Sequence, residues 1–220
     1  MPYRVKELFS TLQGEGMNVG RAAVFCRFSG CNLWTGREQH RSAAVCGFCD
    51  TDFVGTDGPG GGVYSSADEL ATAACGAWSD ATGEPPVNDT NASQRGRPLV
   101  VCTGGEPLLQ LDAELVAAFG EVGFEVAVET NGTIPVPEGV DWVCVSPKAH
   151  SEVVVRVGDE LKLVYPQQGA EPERFTGAEW CFDHYLLQPM DGPDRHANTV
   201  AAVEYCRRHP AGVSASRPTR

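Results

Sequence analysis

The sequence predicts an α/β fold built on a parallel sheet or barrel, with ligands bound at the carboxyl ends of the strands. Six short runs rich in Val, Leu, Phe and Cys recur along the 220 residues. Stretches with helical patterning separate several of them. Polar, often Gly-rich motifs follow directly on the run ends, where parallel α/β sheets and barrels bind their ligands.

Residues 5–16, V-K-E-L-F-S-T-L-Q-G-E-G, give a short apolar segment and then a turn holding Gln13 and Glu15 between glycines. Glycine lets backbone approach a ligand closely, although a plain polar loop would look the same. The run 22–28, A-A-V-F-C-R-F, reads as a buried strand. Its Arg27 requires a partner, either a buried carboxylate or an anionic ligand group, because an unpaired buried charge is costly. Residues 65–78 read as a helix with Ser66 as N-cap, Glu69 completing a capping box, and Leu70, Ala73, Ala74 and Ala77 as its apolar stripe. The Pro-, Asn-, Ser- and Gly-rich stretch 79–97 is expected to be a flexible surface insertion within a single domain spanning 1–220.

The run 98–103 is uniformly apolar, as in strands covered on both faces. It ends in G-G-E-P at 104–107, where Glu106 is expected to accept hydrogen bonds from an ammonium group. A helix over 111–122 leads to a strand at 124–128, which ends in E-T-N-G at 129–132. A strand at 141–145 ends in S-P-K at 146–148. Strands at 161–165 and 184–187 follow, the latter ending in Q-P-M-D-G at 188–192, and a helix over 199–208 closes the pattern.

Seventeen Lys and Arg against 29 Asp and Glu give a net charge of -12. That balance argues against binding a nucleic-acid backbone, which needs clustered cations. No run is long and apolar enough to span a bilayer, and the N-terminal M-P-Y-R-V-K-E-L-F-S carries no secretory apolar segment. A cytoplasmic protein with reduced cysteines is expected. Of nine cysteines, Cys26, Cys102 and Cys144 lie in apolar runs and read as small buried hydrophobes. Cys75, Cys181 and Cys206 are read the same way.

The other three stand apart. Fourteen residues separate Cys31 from Cys46, and two separate Cys46 from Cys49. Thiolates select zinc, copper(I) or iron–sulfur clusters. Structural zinc takes four closed ligands, whereas three thiolates leave a coordination position open. Spacing alone keeps zinc and an iron–sulfur cluster both in play.

Taken together, L-Q-G-E-G at 12–16, F-C-R-F-x-G-C-N-L-W at 25–34, C-x-F-C-D-T-D-F at 46–53, V-C-T-G-G-E-P at 101–107, E-T-N-G at 129–132, C-V-S-P-K at 144–148 and Q-P-M-D-G at 188–192 resemble a radical S-adenosylmethionine (SAM) enzyme. More narrowly, they resemble the 7-carboxy-7-deazaguanine synthase family of the queuosine and 7-deazapurine pathway. The likeness runs to about residue 210. The fourteen-residue gap departs from the C-x3-C-x2-C of most radical SAM enzymes but occurs in one subset of this family.

The resemblance implies a reduced partial (β/α)6 barrel of the radical SAM type, a homodimer, and an electron donor such as a flavodoxin or ferredoxin. It implies that Cys31, Cys46 and Cys49 hold a [4Fe-4S] cluster whose remaining iron takes SAM. Phe48, Cys49, Asp50, Gly105, Ser146, Pro147, Lys148, Gln188, Pro189, Met190 and Asp191 match SAM-contacting positions. Leu12, Gln13, Gly14, Arg27 and Thr103, with Glu15 beside them, match positions around a pterin substrate, 6-carboxy-5,6,7,8-tetrahydropterin. Its carboxylate would pair with Arg27. Thr51 matches a Mg²⁺ position, a hard ion suited to one hydroxyl plus substrate oxygens. The implied reaction contracts the pterin ring and releases ammonia. A glycyl-radical activase, the alternative within the superfamily, would show the three-residue cysteine gap and lack the pairing of L-Q-G-E-G with Arg27.

The tail departs from the family. Residues 211–220, A-G-V-S-A-S-R-P-T-R, are neither strand-like nor similar to the W-R-L-S-x-Q-T-H-K strand that the resemblance implies. One codon choice for them, read in a shifted frame, gives R-R-L-S-V-Q-T-H-K. A frameshifted tail is therefore expected, and resequencing the gene decides it.

Overall fold

The computed structural model describes residues 2–86, 97–210 and the backbone of 214–215. Its strands are β1 (Tyr3–Leu12), β2 (Ala22–Phe28), β3 (Gly62–Tyr64), β4 (Leu99–Gly104), β5 (Glu125–Thr130), β6 (Trp142–Val145), β7 (Val157–Tyr165), β8 (Cys181–Pro189) and β9 (Ser214–Ala215). Among the described residues they form one sheet in the order β3-β1-β2-β4-β5-β6-β7-β8-β9. From β2 onward every neighbouring pair is parallel, while β1 and β3 are antiparallel additions at one edge. The fold is mixed α/β.

Side chains alternate across this sheet and give its faces different work. On one face Val24, Cys26 and Phe28 of β2, Val100 and Cys102 of β4, and Val126 and Val128 of β5 pack under helices α1 (Ala67–Thr82) and α2 (Ala113–Glu121). The other face carries a second set near the strand beginnings: Ala23, Leu99, Val101 and Ala127, flanked by Phe25 and Trp142. Every residue of β4 up to Thr103 is buried, which is why its sequence reads as a continuous apolar run. Further along, Val145, Leu161, Leu163 and Leu187 form another core with Ala202 of α3 (Arg195–Arg208).

Several expectations need correcting. The segment at 5–16 is mostly strand: β1 takes ten residues and pairs with β2 from Val5↔Phe28 to Leu12↔Ala22. Its pattern was obscured by Lys6 and Glu7, whose partners are distant in sequence. Helix α1 runs to Thr82 and stops at Gly83, a left-handed C-cap. The stretch 79–97 therefore begins inside a helix. It ends on Arg97, which bonds the Phe124 carbonyl, and residues 87–96 lie outside the described set. The Ser66 cap forms as expected, accepting from the Glu69 amide at 3.2 Å. Helix α3 starts at Arg195, four residues before the expected 199. Cys26, Cys102 and Cys144 are buried, whereas Cys181 is exposed at the start of β8 and Cys75 and Cys206 are half-buried. The tail also pairs: Ser214–Ala215 lies parallel to β8, with Leu186↔Ser214 and Leu187↔Ala215. An open sheet edge offers its backbone groups to any segment that reaches it. The rest of the tail lies outside the described residues.

Candidate active site

Following the non-helix face toward the carboxyl ends of the strands, the apolar side chains give way to polar ones. Arg27 of β2 stands beside Thr103 of β4 in register. Glu129 of β5 pairs in register with Cys144 of β6, and Val164 of β7 with Gln188 of β8. Lys162 lies two residues before Val164 and shares its face. Arg27, Thr103, Glu129, Lys162 and Gln188 line one cavity of about 860 Å³, with the Cys144 thiol among them. The strand alternation that buries the core thus brings polar side chains from β2, β4, β5, β7 and β8 into the same concavity.

The loop between β2 and β3 closes the cavity and brings the three singled-out cysteines to it. The Cys46 thiol donates to Cys49, which together with the amide and hydroxyl of Thr51 holds the Cys49 pKa down while Cys46 is pushed up. Burial raises Cys31, partly offset by the backbone amides of Leu33 and Trp34 pointing at its sulfur. Among the described residues, no group of three or more His, Cys, Asp or Glu is arranged to hold a single metal ion.

The G-G-E-P turn fits against this loop so closely that both glycines are required. Gly104 has φ 137° and a Cβ there would strike the Phe28 backbone; a Cβ on Gly105 would strike the Gly30 carbonyl and lie 2.8 Å from Cys31 Cβ. Three free thiols line the same cavity, and a glycine turn lies against one of them; three soft donors with no fourth on their loop are the ligand chemistry of a thiolate-held iron–sulfur cluster.

Glu106 has a different role from the one expected. Its carboxylate is fully buried and accepts from the Leu108 amide (3.0 Å), the Thr130 hydroxyl (2.8 Å) and the Asn131 amide (2.8 Å). It does not line the cavity; it ties the G-G-E-P turn to E-T-N-G. Burial raises its pKa, against those three hydrogen bonds.

The E-T-N-G turn supplies Glu129, which accepts from Gln13 Nε2 (3.1 Å) and Thr103 Oγ1 (3.1 Å). Lys162 Nζ lies 3.5 Å from Glu129 and 2.6 Å from Glu15. A single buried ammonium therefore links the L-Q-G-E-G turn to the end of β5. Arg27 pairs through Nε with Glu7 on the neighbouring strand at 2.7 Å, so its partner within the protein is a carboxylate, as one of the two alternatives required. Lys148 donates to the Ser146 carbonyl (2.6 Å) and hydroxyl (2.8 Å), with burial lowering its pKa and the nearby Cys46 and Cys49 opposing that.

Of the expected site residues, Gln13, Gly14, Glu15, Arg27, Thr103, Cys31, Cys46, Phe48, Cys49, Asp50, Thr51, Gly105, Ser146, Lys148, Gln188, Pro189, Met190 and Asp191 line the cavity. Leu12 does not and is largely exposed. Pro147 does not either, though its carbonyl accepts from Gln167 at 3.3 Å. Sequence reasoning missed Glu129, Lys162, Glu7, Trp34 and Arg41, all of which line the cavity. Lys162 carried the signal that exposed Arg27, a lone cation inside an apolar strand.

No family model matches the chain. Curated relatives do. A protein named 7-carboxy-7-deazaguanine synthase from Caulobacter vibrioides is 60% identical over 210 residues, covering 96% of this chain and 93% of the relative. One of the same name from Bordetella pertussis is 59% identical over the same shares. The chain belongs to the 7-carboxy-7-deazaguanine synthase family. For the fold alone, a crystal structure of QueE from Escherichia coli superposes with a TM-score of 0.66 at 23% identity, over all of this chain and 95% of that one. This synthase family member shares more than half its residues with relatives whose length it nearly matches, so the match spans the whole site described above.

Proposed function

We propose that the chain is a radical SAM enzyme that converts 6-carboxy-5,6,7,8-tetrahydropterin to 7-carboxy-7-deazaguanine with loss of ammonia. The observation that carries the reading is the convergence of the Cys31, Cys46 and Cys49 thiols with Arg27, Thr103, Glu129 and Lys162 in one cavity. Family membership supports the product. On this reading the sheet is the reduced partial (β/α)6 barrel of that superfamily, in a single domain and a homodimer, working in the cytoplasm with a flavodoxin- or ferredoxin-like reductant.

Cys31, Cys46 and Cys49 would hold a [4Fe-4S] cluster. With SAM, that cluster supplies a 5′-deoxyadenosyl radical able to take a hydrogen atom from substrate. The chain's own residues do the rest. Ser146 and Lys148 follow the end of β6, the Gln188–Asp191 segment lies at the end of β8, and together they would hold the amino-acid and sugar parts of SAM. Gly105 keeps the turn low enough to leave that space clear. Arg27, already oriented by Glu7, would meet the substrate carboxylate, where a planar fork of donors suits a carboxylate acceptor. Glu129 would accept from the pterin N–H groups, held ionised by Lys162. Thr51 would offer its hydroxyl to Mg²⁺ alongside substrate oxygens.

The test is an anaerobic reaction of the reconstituted protein with reductant, SAM, Mg²⁺ and the carboxytetrahydropterin. Release of 7-carboxy-7-deazaguanine supports the reading. 5′-Deoxyadenosine without that product overturns the substrate assignment.

A further inference from the structure

The fourteen residues between Cys31 and Cys46 have no role in the account so far. They fold back as a short 3₁₀ segment, Glu38–Ala43, held by the Val45 amide on the Leu33 carbonyl at 3.1 Å. This return places Arg41 over its own loop. Arg41 Nη1 donates to the Gly47 carbonyl and to the Cys49 carbonyl, both at 2.9 Å. Those carbonyls belong to the C-G-F-C turn that carries two of the three thiols. The guanidinium lies 4.3 Å from the centre of the Trp34 ring, and Trp34 packs edge-on against Phe53 beyond the cysteines at 5.6 Å. On its outer side, Arg41 Nε binds both oxygens of the exposed Glu38 carboxylate at 2.9 and 2.8 Å. Arg41 itself lines the cavity.

We propose that the expanded loop exists to deliver Arg41 as a positioning residue that clamps the Cys46–Cys49 turn and sets the reduction potential of the cluster held there. The inference rests on the cluster reading above. Two carbonyls bound by one fixed guanidinium nitrogen hold the turn, and with it the relative placement of the two sulfurs. The same guanidinium is a permanent cation bound to the backbone carbonyl of Cys49, one of the residues that would hold a thiolate-ligated, anionic centre. Adding an electron makes such a centre more negative, so a neighbouring cation favours the reduced form and raises the potential. Stacking on Trp34 fixes that charge at one distance, because a cation over an aromatic face is held there electrostatically. Glu38 damps the effect from the solvent side. A three-residue cysteine gap leaves no chain to carry such an arginine.

The experiment is anaerobic reconstitution of the full chain and of Arg41→Gln, Arg41→Lys and Glu38→Gln, with iron content and a potentiometric titration followed by electron paramagnetic resonance. The expected result is a lower midpoint potential for Arg41→Gln, a higher one for Glu38→Gln, and a value near the parent for Arg41→Lys. Arg41→Gln should also lose iron faster to a chelator. If Arg41→Gln fails to hold iron, the opposite shift in Glu38→Gln, a change confined to an exposed side chain, still decides. Potentials unchanged in Arg41→Gln and Glu38→Gln, or shifted in the same direction, overturn the inference while leaving the cluster reading intact. A parent chain that binds no iron overturns both.

Discussion

The Lys162 ammonium sits 2.6 Å from the Glu15 carboxylate, 147 residues away in sequence, and is itself buried. Burial alone would lower its pKa, but the Glu129 and Glu15 carboxylates hold it well above the usual lysine value. Removing this cation leaves two carboxylates facing each other across the cavity wall. Breaking a buried charge network from one side costs about 3–5 kcal/mol. Lys162→Met should lower unfolding stability by that order in urea titrations, and adding Glu129→Gln should recover part of the loss.

The same network predicts a pH dependence. Burial would raise the Glu129 carboxyl, yet the Lys162 charge and the bonds from Thr103 and Gln13 outweigh it and hold the pKa below its ordinary value. A carboxyl lowered in the folded state contributes stability that is complete above its unfolded pKa and is lost as pH falls through the folded one. The stability gap between the parent and Glu129→Gln should be constant above pH ~5 and close as pH drops below ~4. Thermal melts across that range check it.

Gly105→Ala tests the contact between the G-G-E-P turn and the cysteine loop. The new methyl would push against the Gly30 backbone and Cys31 Cβ. Overpacking of this kind costs about 1–3 kcal/mol. Part of that strain falls on a proposed cluster ligand, so iron retained per chain after reconstitution should fall below that of the parent.

Arg27→Lys should leave iron content unchanged and raise KM for the carboxytetrahydropterin by about tenfold or more, since a charged hydrogen bond lost is worth about 1.5–3 kcal/mol. Lysine keeps the charge but loses the planar fork of donors. Steady-state kinetics with the carboxylated pterin measure it.

Much of this was legible in the sequence because β4 is buried along almost its whole length and the buried stretches of β2 and of β5 to β8 are short apolar runs. The motifs at their ends then fall together without further information, since a parallel sheet collects its strand ends on one side. What stayed hidden depends on pairing across long separations. Lys6 and Glu7 made β1 read as only a short apolar segment, but Lys6 is neutralised by Asp52 and Asp57 and Glu7 by Arg27. Glu106 looked available to a ligand until Thr130 and Asn131 occupied it. The three residues of β3 are too few for any pattern, and they pair only because β1 offers an edge. Arg41 lay in a polar loop whose return path no local signal marks.

The measurement that bears most directly on the three-thiol site is iron analysis with electron paramagnetic resonance on the reduced, reconstituted protein, with and without SAM, beside single Cys31→Ala, Cys46→Ala and Cys49→Ala variants. The account predicts close to four irons per chain in the parent, a spectrum that changes when SAM is added, and loss of both in each variant. A colourless parent containing zinc and no iron, or a cluster whose spectrum ignores SAM, would contradict it.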